Sequence, residues 1–162
     1  MPRSKSVISA FNRPTIDFLV VLGILGAFIF FMGFALLLPA GIDLIYGEDT
    51  WHTFLISAGI SFGLGGALWY FFKPKEELRI REGFLVVSLT WLVLSLVGAL
   101  PFTISGILPN YTDAVFETMS GLSTTGSTIM GGTTSTGIVN PAIEDLPKSF
   151  LFWRSLAHWL GG

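Results

Sequence analysis

Residues Tyr111–Met130, YTDAVFETMSGLSTTGSTIM, join a short, mildly apolar segment to a run of Ser, Thr and Gly. Sequences apolar enough to lie in a bilayer flank this stretch on both sides. Tyr111–Gly121 would span about 16 Å as an α-helix, which is too short to cross a membrane. We predict a re-entrant half-helix that descends from the outside and returns through Leu122–Ile129 as an extended strand. Gly126 in that strand is free to adopt backbone angles closed to other residues.

Such backbone at membrane depth has a specific physical use. Irregular backbone is tolerated there only where protein surrounds it or water lines it, and it can offer carbonyl oxygens to a dehydrated cation. Asp113 in the first turn suits the positive end of the helix dipole, so the negative end would face the cation. We interpret the stretch as a pore-forming segment for potassium, or part of one. On composition alone, a solvated external Ser/Thr/Gly-rich loop is the alternative; GGTTSTG lacks the ending of a phosphate-binding loop.

The composition indicates a membrane protein. The 162 residues have a mean hydropathy of +0.70, and only 12% of them are charged, against about 25% in soluble domains. The absence of cysteine excludes thiol catalysis and disulfides, and two histidines make a multi-histidine metal site implausible. A net charge of −2 favours no nucleic-acid partner. An enzyme has little support, because no paired carboxylates or activated nucleophile occur within the apolar runs.

Three apolar runs predict transmembrane helices. Phe18–Ile42 is the first, with Pro39 as a plausible stop near its end. Trp51–Phe72 is the second, and Gly83–Leu108 is the third, with Pro101 expected to kink or end it. We therefore predict an all-α membrane protein, a helical transmembrane bundle with a re-entrant pore helix and an extended filter loop.

Basic residues predict the orientation of these spans. The first span is preceded by Arg3, Lys5 and Arg13, and the second span is separated from the third by Lys73, Lys75, Arg79 and Arg81. The residues between the third span and the final helix hold only Lys148. By the positive-inside rule, the N-terminus lies in the cytoplasm and Tyr111–Lys148 lies outside.

Two further side chains at membrane depth invite hypotheses. Glu117 in the half-helix and Arg154 near the start of the next helix are expected to form a partly buried ion pair, because unpaired charges at this depth are costly. Separate interfacial charges exposed to water are the alternative. His158, among apolar neighbours, is expected to be packed or hydrogen-bonded rather than to act as a ligand.

The segment FETMSGLSTTGST (116–128), followed by FLFWRSLAHWLGG (150–162), resembles the first pore repeat of the Trk/Ktr/HKT potassium transporters, closest to the bacterial Trk membrane subunit. The resemblance implies a pair of transmembrane helices with a charged cytoplasmic loop over residues 1–82 and a first pore repeat over residues 83–162. Four such repeats surround a pore in that family. The resemblance also implies a filter that binds K⁺ largely through backbone carbonyls of Ser123, Thr124, Thr125, Gly126 and Ser127.

The resemblance implies potassium uptake across the cytoplasmic (inner) membrane, with K⁺ as the transported ion and no cofactor. The implied partners are membrane lipid, a second copy in a homodimer and a cytoplasmic nucleotide-binding regulatory subunit, with no nucleic acid. The sequence stops at Gly162, within the second repeat helix Ser149–Gly162. We therefore expect a truncated product or a fragment that does not conduct alone. The alternative is a non-conducting helical bundle that acts as an assembly or regulatory subunit.

Overall fold

The apolar runs fold into helices of the lengths that a bilayer requires. The computed structural model describes residues 17–72, 80–134 and 137–162. Its helices are α1 (Phe18–Tyr46), α2 (Trp51–Phe71), α3 (Ile80–Gly98), α4 (Leu100–Ile104), α5 (Tyr111–Leu122) and α6 (Lys148–Gly161), with a 3₁₀ turn at Ile143–Asp145. Three helical stretches are long and apolar enough to cross a membrane: Phe18–Tyr46, Trp51–Phe71 and Ile80–Ile104. The described residues contain no β-strand, and the prediction of an all-α membrane protein is confirmed.

Helix α1 corrects one boundary that the sequence suggested. The helix continues through Pro39 to Tyr46, so the prediction that Pro39 stops the first span was wrong. Pro39 is buried, and a membrane helix tolerates the missing N–H because neighbouring helices surround the freed backbone. The helix ends at Gly47, whose φ of 69° is left-handed and whose N–H donates to the carbonyl of Asp43.

The third span is interrupted as Pro101 predicts. One non-helical residue separates α3 from α4, and Pro101 lies in the first turn of α4. Two carbonyls at the break receive side-chain donors from other helices: Tyr111 Oη donates to Leu96 O (2.8 Å), and Trp153 Nε1 donates to Gly98 O (3.1 Å). Burial raises the pKa of Tyr111, which favours the protonated phenol that donates this bond. The break is therefore tied to both α5 and α6.

The core lies where α6 enters the bundle. Phe150 of α6 is fully buried, with its ring 4.8 Å from that of Phe54 in α2 and 5.2 Å from that of Phe102 in α4. Trp153, one turn later, is also fully buried. Polar contacts extend this anchorage, because the Glu48 carboxylate accepts a hydrogen bond from the backbone N–H of Lys148 at the start of α6 (3.0 Å). Helices α2 and α4 and the connection between α1 and α2 thus hold the N-terminal part of α6.

The orientation prediction falls largely outside the described residues. Arg3, Lys5 and Arg13 precede residue 17, and Lys73, Lys75 and Arg79 lie within 73–79. The orientation of the spans and the division at residues 82 and 83 stay predictions.

Candidate cation filter segment

Helix α5 delivers the chain to the segment that the sequence singled out. Its N-terminus is capped by Asn110, whose Oδ1 accepts a hydrogen bond from the N–H of Thr112 (3.2 Å), and Asp113 lies in its first turn. The helix reaches Leu122, one residue beyond the predicted end. A helix of 12 residues is about 18 Å long, which is short of the hydrocarbon thickness.

The predicted site residues are contiguous and exposed. We call Ser123–Ser127 the candidate filter segment. All five residues are exposed in the described chain. Thr124 has a φ of 56° and Gly126 a φ of 75°, so the segment is irregular, and the prediction of an extended strand over Leu122–Ile129 was wrong. Gly126 adopts a left-handed backbone conformation, which glycine can take without steric cost because it has no side chain. Thr124 is in a conformation that non-glycine residues rarely adopt, which indicates local strain.

The carbonyls of this segment differ in their hydrogen bonding. Ser127 O accepts a hydrogen bond of 2.6 Å from the hydroxyl of Ser120 in α5. The carbonyls of residues 123–126 accept no hydrogen bond from the part of the chain that the structure describes. By contrast, the N–H groups of Thr125 and Gly126 donate to Ser120 O at 3.0 and 3.4 Å. These two backbone donors thus bond to α5, while four consecutive carbonyls have no hydrogen-bond donor among the described residues.

A buried carboxylate supports the chain just beyond this segment. Glu117 is 5% exposed, and its carboxylate accepts hydrogen bonds from Thr128 Oγ1 (3.1 and 3.0 Å) and from the N–H of Ile129 (3.0 Å). Arg154 Nε of α6 lies 2.8 Å from Glu117 Oε1, so the predicted ion pair is confirmed. The Nε–H is not aligned as a hydrogen bond, so we treat the contact as an ion pair. Glu117 thus joins α5, the exit of the candidate filter segment and α6.

His158 adopts the packed arrangement that was predicted. Its Nδ1 lies 2.8 Å from the carbonyl oxygen of Arg154, one turn earlier in α6. Its ring is half-buried beside Gly121 at the end of α5. In the described ranges, no cluster of three or more His, Cys, Asp or Glu side chains could hold a metal ion.

Sequence reasoning missed three residues that shape this site. Ser120 binds the carbonyl of Ser127, Thr128 binds Glu117, and Asn140 Nδ2 donates to Ile129 O (3.2 Å). Thr128 belongs to the same polar run and could have been included on that basis. Ser120 and Asn140 carried no such signal, because their bonds depend on how the chain folds back after α5.

Residues 51–162 match the sequence model of the TrkH family, described as a cation transport protein. The chain belongs to the TrkH family. Curated relatives include the Trk system potassium uptake proteins TrkH of Halomonas elongata (36% identity over 145 residues) and Escherichia coli (37% over 148). An uncharacterized cation transporter of Methanocaldococcus jannaschii is 38% identical over 142 residues.

The fold of this chain is also similar to that of a solved potassium transporter. The crystal structure of the potassium transporter TrkH from Vibrio parahaemolyticus matches 90% of this chain with a TM-score of 0.78 and 32% identity. The alignments cover 88–90% of this chain but only 28% of the length of the curated relatives, and 30% of the solved chain. The TrkH family comprises membrane ion transporters rather than enzymes, and this member is a multi-pass membrane protein.

Proposed function

We propose that this chain forms part of a potassium uptake transporter of the cytoplasmic membrane and supplies one quarter of its ion filter. The filter ligands would be backbone carbonyls of Ser123, Thr124, Thr125, Gly126 and Ser127. The observation that carries the proposal is a run of four consecutive exposed residues, 123–126, whose carbonyls accept no hydrogen bond from the described residues. The named functions of the TrkH relatives support potassium as the ion.

The chemistry of such a site is ion coordination without bond making. Carbonyl oxygens replace the hydration shell of K⁺, and selectivity follows from their number, field and spacing. The C-terminal end of α5 adds the negative end of a helix dipole next to the segment. Glu117 does not face the ion in this proposal, because its carboxylate is occupied by Thr128, Ile129 and Arg154 behind the segment. Its role is to hold the backbone.

A single segment supplies only part of a coordination shell. The exposure of Ser123–Ser127 leaves room for further strands around the ion, from the rest of a longer chain or from other copies. We further propose that the N-terminus is cytoplasmic and that Tyr111–Lys148 faces outside. A homodimer and a cytoplasmic nucleotide-binding regulatory subunit remain part of the proposal by family resemblance.

A second candidate function is a non-conducting bundle that assembles with other membrane subunits. The favouring observation is that the described residues present the candidate filter segment on an exposed surface rather than around an enclosed path.

Growth of a potassium-uptake-deficient bacterium at low K⁺ separates the two functions. One strain expresses the 162-residue chain, and a second expresses any longer reading frame that contains it. The proposal expects rescue by the longer form, or by the short chain if copies assemble around a pore. Membrane insertion of every form without rescue by any of them would contradict the proposal and favour the assembly subunit.

A further inference from the structure

The last turn of α6 packs against the C-terminal end of α5. A Cβ placed on Gly121 would lie 3.1 Å from the Cβ of Ala157. One turn later, a Cβ on Gly161 would overlap the carbonyl oxygen of Leu122 and lie 2.6 Å from its carbonyl carbon and 3.0 Å from its Cα. Ala157 and Gly161 are four residues apart and therefore share a face of α6. That face is pressed against the end of α5.

The contact at Gly161 differs from ordinary side-chain packing. The atoms that a side chain would meet belong to the backbone of Leu122, so they cannot rotate away. Either α6 or the chain at Leu122 would have to shift. Leu122 immediately precedes Ser123, the first residue of the candidate filter segment. Any shift of Leu122 is therefore passed directly to the carbonyls that follow.

We propose that Gly161 is a positioning residue for the filter. Because Gly161 has no side chain, α6 packs directly against the carbonyl of Leu122. This contact fixes the position at which Ser123–Ser127 begins and so contributes to the selection of K⁺ over Na⁺. The inference rests on the proposed function of that segment. Selectivity depends on carbonyl positions, so it is the property that a displaced filter entrance would change.

The first experiment measures the position of the segment without relying on transport. The 162 residues contain no cysteine, so Thr125→Cys places one thiol in the exposed segment, and any cysteine elsewhere in the gene product is first replaced by serine. The gene product carrying Thr125→Cys is labelled in membrane vesicles with a thiol-reactive reagent. Adding Gly161→Ala should change the labelling rate of Cys at position 125 about tenfold, which corresponds to a free-energy difference of about 1.4 kcal/mol. The matched control is Gly63→Ala in α2, where a Cβ would meet nothing within 4 Å, and it should leave the rate unchanged.

The second experiment measures K⁺ and Na⁺ uptake at equal protein abundance. Gly161→Ala should lower the preference for K⁺ about tenfold, equivalent to about 1.4 kcal/mol, whereas Gly63→Ala should not alter it. If Gly161→Ala does not accumulate, Ala157→Gly serves instead, because it removes only the Cβ that faces Gly121. This variant should change labelling and selectivity in the same direction, to a smaller extent.

The outcomes separate this inference from the proposed function. Unchanged labelling, or changed labelling with unchanged selectivity, would overturn the role of Gly161. If Gly161→Ala changes the labelling rate but the wild-type gene product takes up no K⁺, the positional contact is supported and the proposed function is overturned. A selectivity change shared by Gly63→Ala would also overturn the inference.

Discussion

Two of the close helix contacts at glycine, one between α1 and α2 and one between α5 and α6, differ in what surrounds them. Between α1 and α2, a Cβ on Gly26 would lie 2.6 Å from Leu68 Cβ, and a Cβ on Gly65 would lie 2.7 Å from Gly26 O. Aromatic rings flank this contact, including Phe30 and Phe62 with centroids 5.1 Å apart. Small residues allow such close packing within a membrane, where van der Waals contact rather than hydrophobicity joins helices.

The contact between α5 and α6 combines close packing with polar groups. Gly121 and Gly161 allow the approach, while Glu117 and Arg154 form an ion pair one to two turns away. The same carboxylate also holds Ile129. The difference teaches that apolar glycine packing joins the helices of the scaffold, whereas buried polar groups hold the irregular backbone that follows α5. The two contacts should therefore respond differently to mutation, with selectivity changing only at the second.

The largest expected effect is at the ion pair. Glu117→Gln leaves Arg154 without its anion and removes the charge that holds Thr128 and Ile129. Breaking one side of a buried pair costs about 3–5 kcal/mol in unfolding free energy, and we expect this range. Thermal unfolding of the detergent-solubilised gene product measures the effect. The exposed Glu144→Gln is the control and should be near neutral.

A double-mutant cycle sharpens this prediction. Arg154→Gln added to Glu117→Gln should restore part of the lost stability, because it removes the uncompensated charge. Additive losses for the two substitutions would show that the pair is not energetically coupled.

The scaffold contact should show an intermediate effect without a change in selectivity. Gly26→Ala places a methyl group against Leu68 and the Trp69 backbone, and overpacking of this kind costs about 1–3 kcal/mol. We expect less protein in the membrane at unchanged preference for K⁺ over Na⁺ per transporter. Immunoblotting with parallel ion uptake measures both quantities. Altered selectivity in Gly26→Ala would break the distinction between the two contacts.

The smallest expected effect is at Ser120. Ser120→Ala removes the hydroxyl that donates to Ser127 O and should lower the unfolding free energy by about 0.5–1.5 kcal/mol. Ser88→Ala is the control, because among the described residues the Ser88 hydroxyl donates to the carbonyl of Phe84 in its own helix. Thermal unfolding compares the two variants. Equal losses would indicate that the Ser120 bond adds nothing beyond a local helix contact.

Much of the fold could be predicted from the sequence because the bilayer imposes length and polarity. The three long apolar runs became membrane-capable helices, and Pro101 marked the interruption of the third. The pair of Glu117 and Arg154 was also predictable, since charges at membrane depth need partners. The end of α1 was misplaced because Pro39 is tolerated within a buried helix, and the glycine stop lies eight residues later.

The candidate site was predictable in composition but not in its supports. A polar run after a short helix drew attention to Ser123–Ser127, and family resemblance assigned its carbonyls. The hydroxyl of Ser120, the amide of Asn140 and the bare Cα of Gly161 act through tertiary contacts. No periodicity or spacing in the sequence encodes where α6 meets the end of α5.

The most direct test of the central claim is the K⁺ over Na⁺ uptake ratio of Gly126→Ser beside Gly106→Ser. Both glycines have positive φ, 75° and 78°, and at both a Cβ would meet nothing within 4 Å, so the local strain is matched. Only Gly126 lies in the candidate filter segment. We predict that Gly126→Ser lowers the ratio about tenfold, equivalent to about 1.4 kcal/mol, and that Gly106→Ser leaves it unchanged. An unchanged ratio in Gly126→Ser, at wild-type abundance in the membrane, would contradict the assignment of Ser123–Ser127 as a potassium filter.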